Sequence, residues 1–216
     1  MYKLHYFNFY GRAEPIRMLL THANIAFEDI RVPFPDWPGV KGNYEFGQLP
    51  VLEITDAEGK VKKYAQTLSI LRYLSIQNGY YPKDNAEQAW EIDSTLDAIY
   101  DLVNGLVKIY WEKDLERKAQ LSKDFFSGPY TQTLKALAKR LVENNTKYIA
   151  GDKITAADFL FGHFIFSVIL NDLREVGGDV DYLKTIFKQF EALVKYADTF
   201  RAEFAEYLET RAKCPR

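Results

Sequence analysis

The hydrophobic pattern of the chain changes near residue 80, and this change limits the folds that the sequence can adopt. Up to about Tyr80 short strand-like and helical segments alternate, whereas from about Asp84 onward the pattern is helical throughout. A chain of 216 residues is long enough for two small domains that share an interface. We therefore predict an α/β domain over residues 1–80 and an all-helical domain over residues 85–216.

The order of elements in the first domain predicts its sheet topology. Strands are predicted at 2–7, 27–32, 51–54 and 61–64, and helices at 13–23 and 67–78, the second of them capped by Thr67. A helix that connects the first two strands makes them parallel, and a hairpin closed by Gly59 makes the last two antiparallel. This order predicts a mixed four-stranded sheet with helices packed on it, as in thioredoxin-like domains.

The helical half is predicted to fold as a bundle around one buried helix. Its helices are predicted at 86–115, 130–144, 156–173, 182–195 and 198–211. The third helix is apolar on nearly all sides, which is typical of a helix in the centre of a bundle. Thr155 and Asp158 form a predicted capping pair at its start, and Ile154 precedes them as a hydrophobic staple. His163 lies inside this helix, where a structural role is favoured over a role as a ligand.

Composition and charge argue against several classes of function. A net charge of −2, with acidic and basic residues interspersed, offers no basic surface for nucleic acid or anionic membranes. The three histidines are far apart and have no cysteine partners, so no zinc site is predicted and no metal is expected to be required. No apolar run is long enough to span a bilayer, and the N-terminus is too polar for a secretory signal. Cys214 is the only cysteine and is interpreted as an incidental thiol, and we expect a cytoplasmic protein.

Two local features could hold an extended peptide ligand. Pro50 stands directly before a predicted strand, where a cis bond would turn the backbone of Leu49 outward to pair with a peptide. The alternative, a proline that only begins a strand, stays open at this point. Gln66 and Thr67 stand at the start of a helix, where free backbone N–H groups and the helix dipole favour a carboxylate.

A row of acidic residues marks one face of the first helix in the second domain. Asp93, Asp97 and Asp101 recur every four residues, so they share that face. Like charges at this spacing repel each other by a few tenths of a kcal/mol per pair, roughly as measured in isolated helices. The row is therefore either a solvated stripe or a group of carboxylates beside a cation, for which the ammonium group of a ligand would serve.

Several short motifs follow one another in order along the chain. They are Tyr6-Phe7, Gly11-Arg12-Ala13-Glu14, Asp36-Trp37-Pro38 with Lys41, Gly47-Gln48-Leu49-Pro50-Val51, Gln66-Thr67, Trp111 and Gly151-Asp152-x-Ile154-Thr155-x-x-Asp158. Each motif is weak alone, but the ordered set spans essentially the whole chain and resembles sigma-class cytosolic glutathione S-transferases. The sequence departs from that family at Thr67, where Ser is usual, and at Phe9 and Tyr10, which are bulkier than is common.

The resemblance implies a role for each matching residue in holding glutathione as co-substrate. The implied contacts are Tyr6 and Arg12 at the sulfur, Trp37 and Lys41 at the glycine end, Gln48, Leu49 and Pro50 at the middle, and Gln66 and Thr67 at the γ-glutamyl carboxylate. Asp97 would reach the γ-glutamyl ammonium group from a second subunit, which implies a homodimer. Small hydrophobic electrophiles would bind in a pocket lined by Phe7, Tyr10, Tyr110 and Trp111.

The chemistry that the resemblance implies is feasible with a single hydrogen-bond donor. A free thiol has a pKa of about 8.5, so making it mostly thiolate at neutral pH needs a fall of roughly two units. This fall corresponds to about 2.7 kcal/mol, and one hydrogen bond to a charged group contributes about 1.5–3 kcal/mol. Tyr6, at the end of the first predicted strand, is the expected donor, and the alternative is a tyrosine that serves only in the core.

The resemblance leaves the substrate open. We expect conjugation of glutathione to small hydrophobic electrophiles, with reduction of hydroperoxides as a further activity of the same thiolate. A narrower alternative is a glutathione-dependent isomerase that forms prostaglandin D. Two alternatives are not enzymes: a protein related to lens crystallins, and a glutathione-binding protein that serves assembly. The first of these is disfavoured because the chain has only two methionines and no evident insertion before the central helix. Binding of a divalent cation by Asp93 and Asp97 is left open.

Overall fold

The structure is a computed structural model that describes residues 1–173 and 179–214. The predicted two-part architecture is confirmed: a sheet with helices comes first, and a helical domain follows. Residues 174–178 and 215–216 of the predicted second domain lie outside the described residues. No helix among the described residues is both long enough and apolar enough to span a membrane.

The N-terminal sheet has the predicted mixed topology. Its strands are β1 (Tyr2–Phe7), β2 (Phe27–Val32), β3 (Val51–Thr55) and β4 (Val61–Ala65), in the spatial order β2-β1-β3-β4. Strands β1 and β2 are parallel because helix α1 (Glu14–His22) crosses over between them, whereas β1 and β3, and β3 and β4, are antiparallel. Leu4 and Tyr6 of β1 are buried and alternate with less buried residues, as expected for a strand with one face in the core.

The segment between β2 and β3, to which no strand or helix was assigned from the sequence, contains three short helical turns. These are Phe34–Asp36, helix α2 (Trp37–Val40) and Lys41–Asn43. Helix α3 (Thr67–Asn78) then packs against α1 and against β3 and β4, so it returns the chain to the sheet. It ends at Gly79, whose left-handed φ of 80° a residue without a Cβ adopts readily.

The second domain contains seven helices among the described residues. They are α4 (Ala86–Trp111), α5 (Leu115–Phe125), α6 (Thr131–Asn144), α7 (Ala156–His163), α8 (Asp179–Lys188), α9 (Glu191–Glu203) and α10 (Ala205–Thr210). Two wider π-helical turns, Phe126–Tyr130 and Phe164–Ile169, continue α5 and α7 respectively.

Several predicted helix boundaries in this domain are wrong. The helix predicted at 86–115 ends at Trp111, and α5 was not predicted at all. The segments predicted at 182–195 and 198–211 are divided differently, because the chain leaves α8 after Lys188 and α9 runs on to Glu203. Phe190, the residue directly before α9, has the non-helical angles φ −103° and ψ 88°.

Helix α7 is the buried central helix that the sequence predicts, and it joins the two domains. All of its residues are buried, and it packs against both α4 and α1. The predicted capping box is present: the Asp158 carboxylate accepts the backbone N–H of Thr155 at 2.8 Å. The same carboxylate also accepts the N–H of Ile149 and the hydroxyl of Tyr196, so the cap ties α7 to its neighbours.

Candidate active site

A cleft between the two domains collects most of the residues that were predicted to bind glutathione. It is lined by Arg12, Gln48, Leu49, Pro50, Ala65, Gln66, Thr67 and Tyr100. These residues come from the turn after β1, the segment directly before β3, the junction of β4 and α3, and the middle of α4. Six predicted glutathione-binding residues therefore meet at one place, although they are far apart in the sequence.

Tyr6 stands beside this cleft, at the end of β1. Its hydroxyl oxygen accepts the backbone N–H of Arg12 at 3.0 Å, and its side chain is 5% exposed. Burial raises the pKa of the Tyr6 phenol, and the nearby Arg12 N–H and the positive charges of Arg12 and Arg17 act in the opposite direction. A phenol with a raised pKa stays protonated at neutral pH, and a hydroxyl that accepts one hydrogen bond still has its proton to donate.

The turn after β1 requires glycine next to Tyr6. Gly11 has a φ of 41°, and a Cβ placed there would lie 2.5 Å from the Tyr6 hydroxyl oxygen. A side chain at this position would therefore displace either the phenol or the turn. The sequence motif Gly11-Arg12 is thus explained by a close approach of the backbone to the hydroxyl.

The guanidinium group of Arg12 is held by helix α4, a contact that the sequence did not predict. Arg12 Nη2 donates to Asn104 Oδ1 at 2.8 Å, and its Cζ lies 5.4 Å from the centre of the Tyr100 ring. Tyr100 and Asn104 are four residues apart and share one helix face. That spacing was visible in the sequence, but nothing in it indicated that this face of α4 meets Arg12.

The middle of the cleft is formed by the segments around Pro50 and Gln66. The Leu49–Pro50 peptide bond is cis, which is one of the two alternatives that the sequence left open. Gln66 Nε2 donates to Gln48 Oε1 at 3.3 Å. The prediction that Thr67 caps α3 is wrong by one residue: Gln66 occupies the N-cap position with a φ of 72°, and Thr67 is the first helical residue. The start of α3 still faces the cleft, where it favours an anion.

Trp37 and Lys41 lie in the segment between β2 and β3 and are not part of the cleft lining. The Trp37 ring contacts Phe7 edge-to-face with ring centres 5.3 Å apart, and it lies 5.6 Å from the Tyr44 ring. The Lys41 side chain runs past Gly47, where an added Cβ would lie 2.9 Å from Lys41 Cε. Both predicted residues are therefore near the site but at its edge.

The acidic face of α4 has a cation from its own chain. Arg72 Nε lies 2.6 Å from Asp93 Oδ1, and Arg72 Nη2 lies 3.2 Å from Asp97 Oδ1. The Tyr81 hydroxyl also donates to Asp93 at 2.8 Å. Arg72 thus supplies a positive charge beside these carboxylates, a place for which the ammonium group of a ligand was one candidate. Among residues 1–173 and 179–214, no group of three or more histidine, cysteine, aspartate or glutamate side chains is arranged to hold a metal ion.

The residues predicted to line the electrophile pocket come from both domains. Phe7 stacks on Phe34 with ring centres 4.6 Å apart, and Tyr10 is buried with its hydroxyl accepting the N–H of Cys214 at 3.2 Å. Tyr110 and Trp111 contact each other edge-to-face at the end of α4, and Trp111 is 61% exposed.

Trp111 shares a helix face with the α4 residue that holds Arg12. It lies seven residues beyond Asn104, which places both on one face, about 10 Å apart along the axis. An exposed indole on this face is therefore available to a ligand that extends from Arg12 along α4.

Comparison with known protein families decides the identity. Residues 2–75 match the family model described as "Glutathione S-transferase, N-terminal domain", and residues 100–211 match "Glutathione S-transferase, C-terminal domain". The chain belongs to the glutathione S-transferase family. The protein is therefore a glutathione S-transferase, and glutathione is the co-substrate of the family. The predicted fold and enzymatic activity are confirmed.

Two curated relatives illustrate the range of proteins that this transferase resembles. It is 32% identical to "Probable glutathione S-transferase 7" of Caenorhabditis elegans over 223 residues, which covers 99% of this chain and 98% of the relative. It is also 34% identical to the S-crystallin SL11 of Nototodarus sloanii over 161 residues, which covers 74% of this chain and 76% of the relative.

Solved structures resemble this transferase along nearly its whole length. A sigma-class transferase of Fasciola hepatica has a TM-score of 0.83 and 28% identity, covering 100% of this chain and 98% of the other. A prostaglandin synthase D of Nilaparvata lugens has a TM-score of 0.78 and 26% identity, covering 98% of each chain. The monomeric Na-GST-3 of Necator americanus has a TM-score of 0.81 and 29% identity, covering 100% and 99%.

Proposed function

We propose that Tyr6 activates glutathione in this transferase by donating its hydroxyl proton in a hydrogen bond to the thiolate. The observation that carries the proposal is the buried Tyr6 hydroxyl beside the cleft, which accepts the Arg12 N–H and keeps its own proton. Arg12, held by Asn104, adds positive charge near the same place. A thiolate at this point would be stabilised by a neutral donor and a cation in a half-buried cleft.

We propose that glutathione lies along the cleft with its γ-glutamyl end at α3. Gln66 and Thr67 would hold the γ-glutamyl carboxylate at the helix start, and Gln48 with the Leu49 backbone would hold the middle of the tripeptide, beside the cis Pro50. Trp37 and Lys41 would contact the glycine end from the edge of the site. With the domain limits that we propose, 1–80 and 85–216, this site would lie almost wholly in the first domain.

The substitution Tyr6→Phe tests the role of the hydroxyl. Loss of one hydrogen bond to a charged sulfur, worth about 1.5–3 kcal/mol, should raise the pKa of bound glutathione by about 1–2 units. Ultraviolet absorbance of the bound thiolate, followed as a function of pH, measures that pKa directly. Tyr2→Phe on the same strand is the matched control and should leave the thiol pKa unchanged. Equal thiol pKa values in wild type and Tyr6→Phe would refute the proposal.

We propose the sigma class and conjugation of small hydrophobic electrophiles as the principal activity. The similarity to the Fasciola hepatica sigma-class transferase supports the class. The aromatic group of Phe7, Phe9 and Phe34, together with the exposed Trp111, supports an apolar second substrate in a pocket that Tyr10 and Tyr110 complete. Initial rates with a panel of aromatic halides and organic hydroperoxides separate conjugation from peroxide reduction.

A second candidate function is glutathione-dependent isomerisation to prostaglandin D. It is favoured by one specific observation, the similarity to a prostaglandin synthase D over 98% of the chain. Assaying the prostaglandin endoperoxide beside a generic aromatic halide decides between the two, because an isomerase would prefer the endoperoxide strongly. The similarity to an S-crystallin is consistent with a purely structural role. Turnover in this assay would argue against that structural role.

We propose that the transferase is a cytoplasmic homodimer in which Asp97 of one subunit contacts glutathione bound to the other. Asp97 supports this arrangement because its side chain is 67% exposed, although it pairs with Arg72 of its own chain. One relative of similar fold is described as monomeric, so the assembly needs its own measurement. Light scattering should give twice the 25.1 kDa mass of the chain, and a mass of one chain would exclude the dimer.

A further inference from the structure

The last described residues of the chain fold back onto the turn that carries the site. We call residues 205–214 the C-terminal clamp. The Tyr207 hydroxyl and Arg211 Nη1 donate to Glu14 Oε1 at 2.9 and 2.7 Å. The Cys214 N–H donates to the Tyr10 hydroxyl at 3.2 Å, and Arg211 Cζ lies 4.1 Å from the centre of the Tyr10 ring. The clamp thus contacts both sides of the turn that contains Gly11 and Arg12.

Arg211 is fixed from the other side by the π-helical turn that follows α7. In this turn the N–H of Leu170 bonds the carbonyl of Ile165 at 2.8 Å, which leaves the Phe166 carbonyl without its usual α-helical donor. Arg211 Nη2 donates to that carbonyl at 2.9 Å, and Nη1 donates to the Ser167 hydroxyl at 2.9 Å. The departure from α-helix therefore creates an acceptor that orients the guanidinium group.

The Glu14 carboxylate links Arg211 to a second arginine that holds the catalytic turn. Glu14 is 1% exposed, and its other oxygen, Oε2, accepts Arg17 Nη1 at 3.2 Å. The same Arg17 nitrogen donates to the carbonyls of Phe9 and Tyr10, both at 3.2 Å. These two carbonyls belong to the residues directly before Gly11 and Arg12.

This chain of contacts ends at the Tyr6 hydroxyl. The N–H of Arg12 donates to that hydroxyl at 3.0 Å, and Arg12 follows Phe9 by three residues and Tyr10 by two. Buried charges need their partners, because an unpaired carboxylate or guanidinium group out of water is strongly unfavourable. If Arg211 is lost, Glu14 keeps the Tyr207 hydroxyl as a neutral donor and depends on Arg17 for a positive charge. Arg17 is then drawn toward Glu14 and away from the carbonyls that it holds.

We propose that Arg211 is a positioning residue for thiol activation, which acts through Glu14 and Arg17 to hold the turn that sets the Tyr6 hydroxyl. The proposal rests on the proposed role of Tyr6 in the cleft. Arg211 itself touches neither the cleft lining nor, by our assignment, glutathione. It is contributed by the second domain, so the geometry of a site built mostly by the first domain depends on the last residues of the second.

The test compares Arg211→Gln, Arg211→Lys and the control Arg201→Gln, which removes an exposed arginine 5.2 Å from the Phe166 ring. We expect Arg211→Gln to raise the pKa of bound glutathione by about 0.5–1 unit. It should lower kcat/KM at about pH 6.5 by about 3- to 10-fold. At higher pH, where the thiol ionises without help from the protein, kcat/KM should converge on the wild-type value. Arg211→Lys should recover part of the effect, because it keeps the charge but not the fork of donors. Arg201→Gln should match wild type.

A purely structural role would give a different result. If Arg211→Gln only lowers the melting temperature, with the thiol pKa and the shape of the pH profile unchanged, the positioning role is refuted. Should Arg211→Gln not yield folded protein, Tyr207→Phe decides, because it removes only one donor to Glu14 and should shift the thiol pKa in the same direction by less.

Tyr6→Phe, measured in parallel, separates this inference from the proposed function. If Tyr6→Phe leaves the thiol pKa unchanged, the proposed mechanism itself fails. If Tyr6→Phe raises the thiol pKa while Arg211→Gln and Tyr207→Phe do not, the mechanism stands and only the positioning role of Arg211 is wrong.

Discussion

The chemistry of Tyr6 depends on its place next to a glycine turn and on its buried contacts. Only the first of these could be predicted from the sequence. Its place at the end of β1 and the glycine in the next turn followed from local patterns. Its burial, which keeps the phenol protonated, and the bond from the Arg12 N–H, which holds the hydroxyl in place, follow from packing. A tyrosine in a strand is ordinary, and these contacts distinguish Tyr6 from the other tyrosines of the chain.

Asn104 offers a test of how Arg12 is directed. Asn104→Ala removes the side-chain acceptor of Arg12 Nη2 and leaves the contact with the Tyr100 ring. A hydrogen bond to a charged group is worth about 1.5–3 kcal/mol, so we expect kcat/KM for conjugation to fall by about tenfold when Arg12 is no longer aligned. Steady-state kinetics measure this, with Asn144→Ala on α6 as the control. Identical kinetics for Asn104→Ala and wild type would show that the contact has no catalytic effect.

At the scale of elements, local turn chemistry explains the helix break after α4, which periodicity missed. The Glu112 carboxylate accepts the N–H groups of Lys113 and Asp114 at 2.8 and 3.0 Å, which bends the chain out of α4. Asp114 then caps α5 by accepting the N–H of Arg117 at 2.9 Å. The residues for this turn were present in the sequence, but the predicted helix was extended past them to residue 115.

The π-helical turn after α7 shows the opposite case, in which no local signal was available. Phe164–Ile169 is apolar and would suit an α-helix. The freed Phe166 carbonyl is used by Arg211, which lies 45 residues away along the chain. The wider turn is therefore explained by its contact with the C-terminal clamp and not by its own sequence.

At the scale of the whole molecule, the interface between the domains contains a buried histidine. His163 of α7 is 3% exposed, and burial lowers its pKa to about 3, with further lowering by the nearby charges of Arg211 and Arg17. The imidazole is therefore neutral in the folded protein at any physiological pH. The expectation from sequence that His163 serves the core, not a ligand, agrees with this environment.

The low pKa of His163 predicts that stability falls in acid. The unfolded state, with a histidine pKa of about 6.5, binds a proton that the folded state does not accept until about pH 3. Stability is thus lost as the pH falls through about 6.5, by up to about 1.4 kcal/mol per unit. His163→Leu should remove about 2 kcal/mol of the difference between about pH 7.5 and pH 5. Urea unfolding of both proteins at both pH values measures it, and an unchanged difference would contradict the prediction.

The sequence alone determined the order and type of most elements, the mixed sheet and the capping box of α7, whereas Tyr6 became the candidate donor through the resemblance of its motifs to a family. These features depend on periodicity, turn residues and short motifs, which act between residues close together in the chain. Only the tertiary structure decided that Asn104 meets Arg12, that Arg72 occupies the acidic face of α4, and that Arg211 reaches Glu14. Each of these contacts joins residues on separate elements. The faces that meet are chosen by how the helices of the two domains pack, which no local pattern specifies.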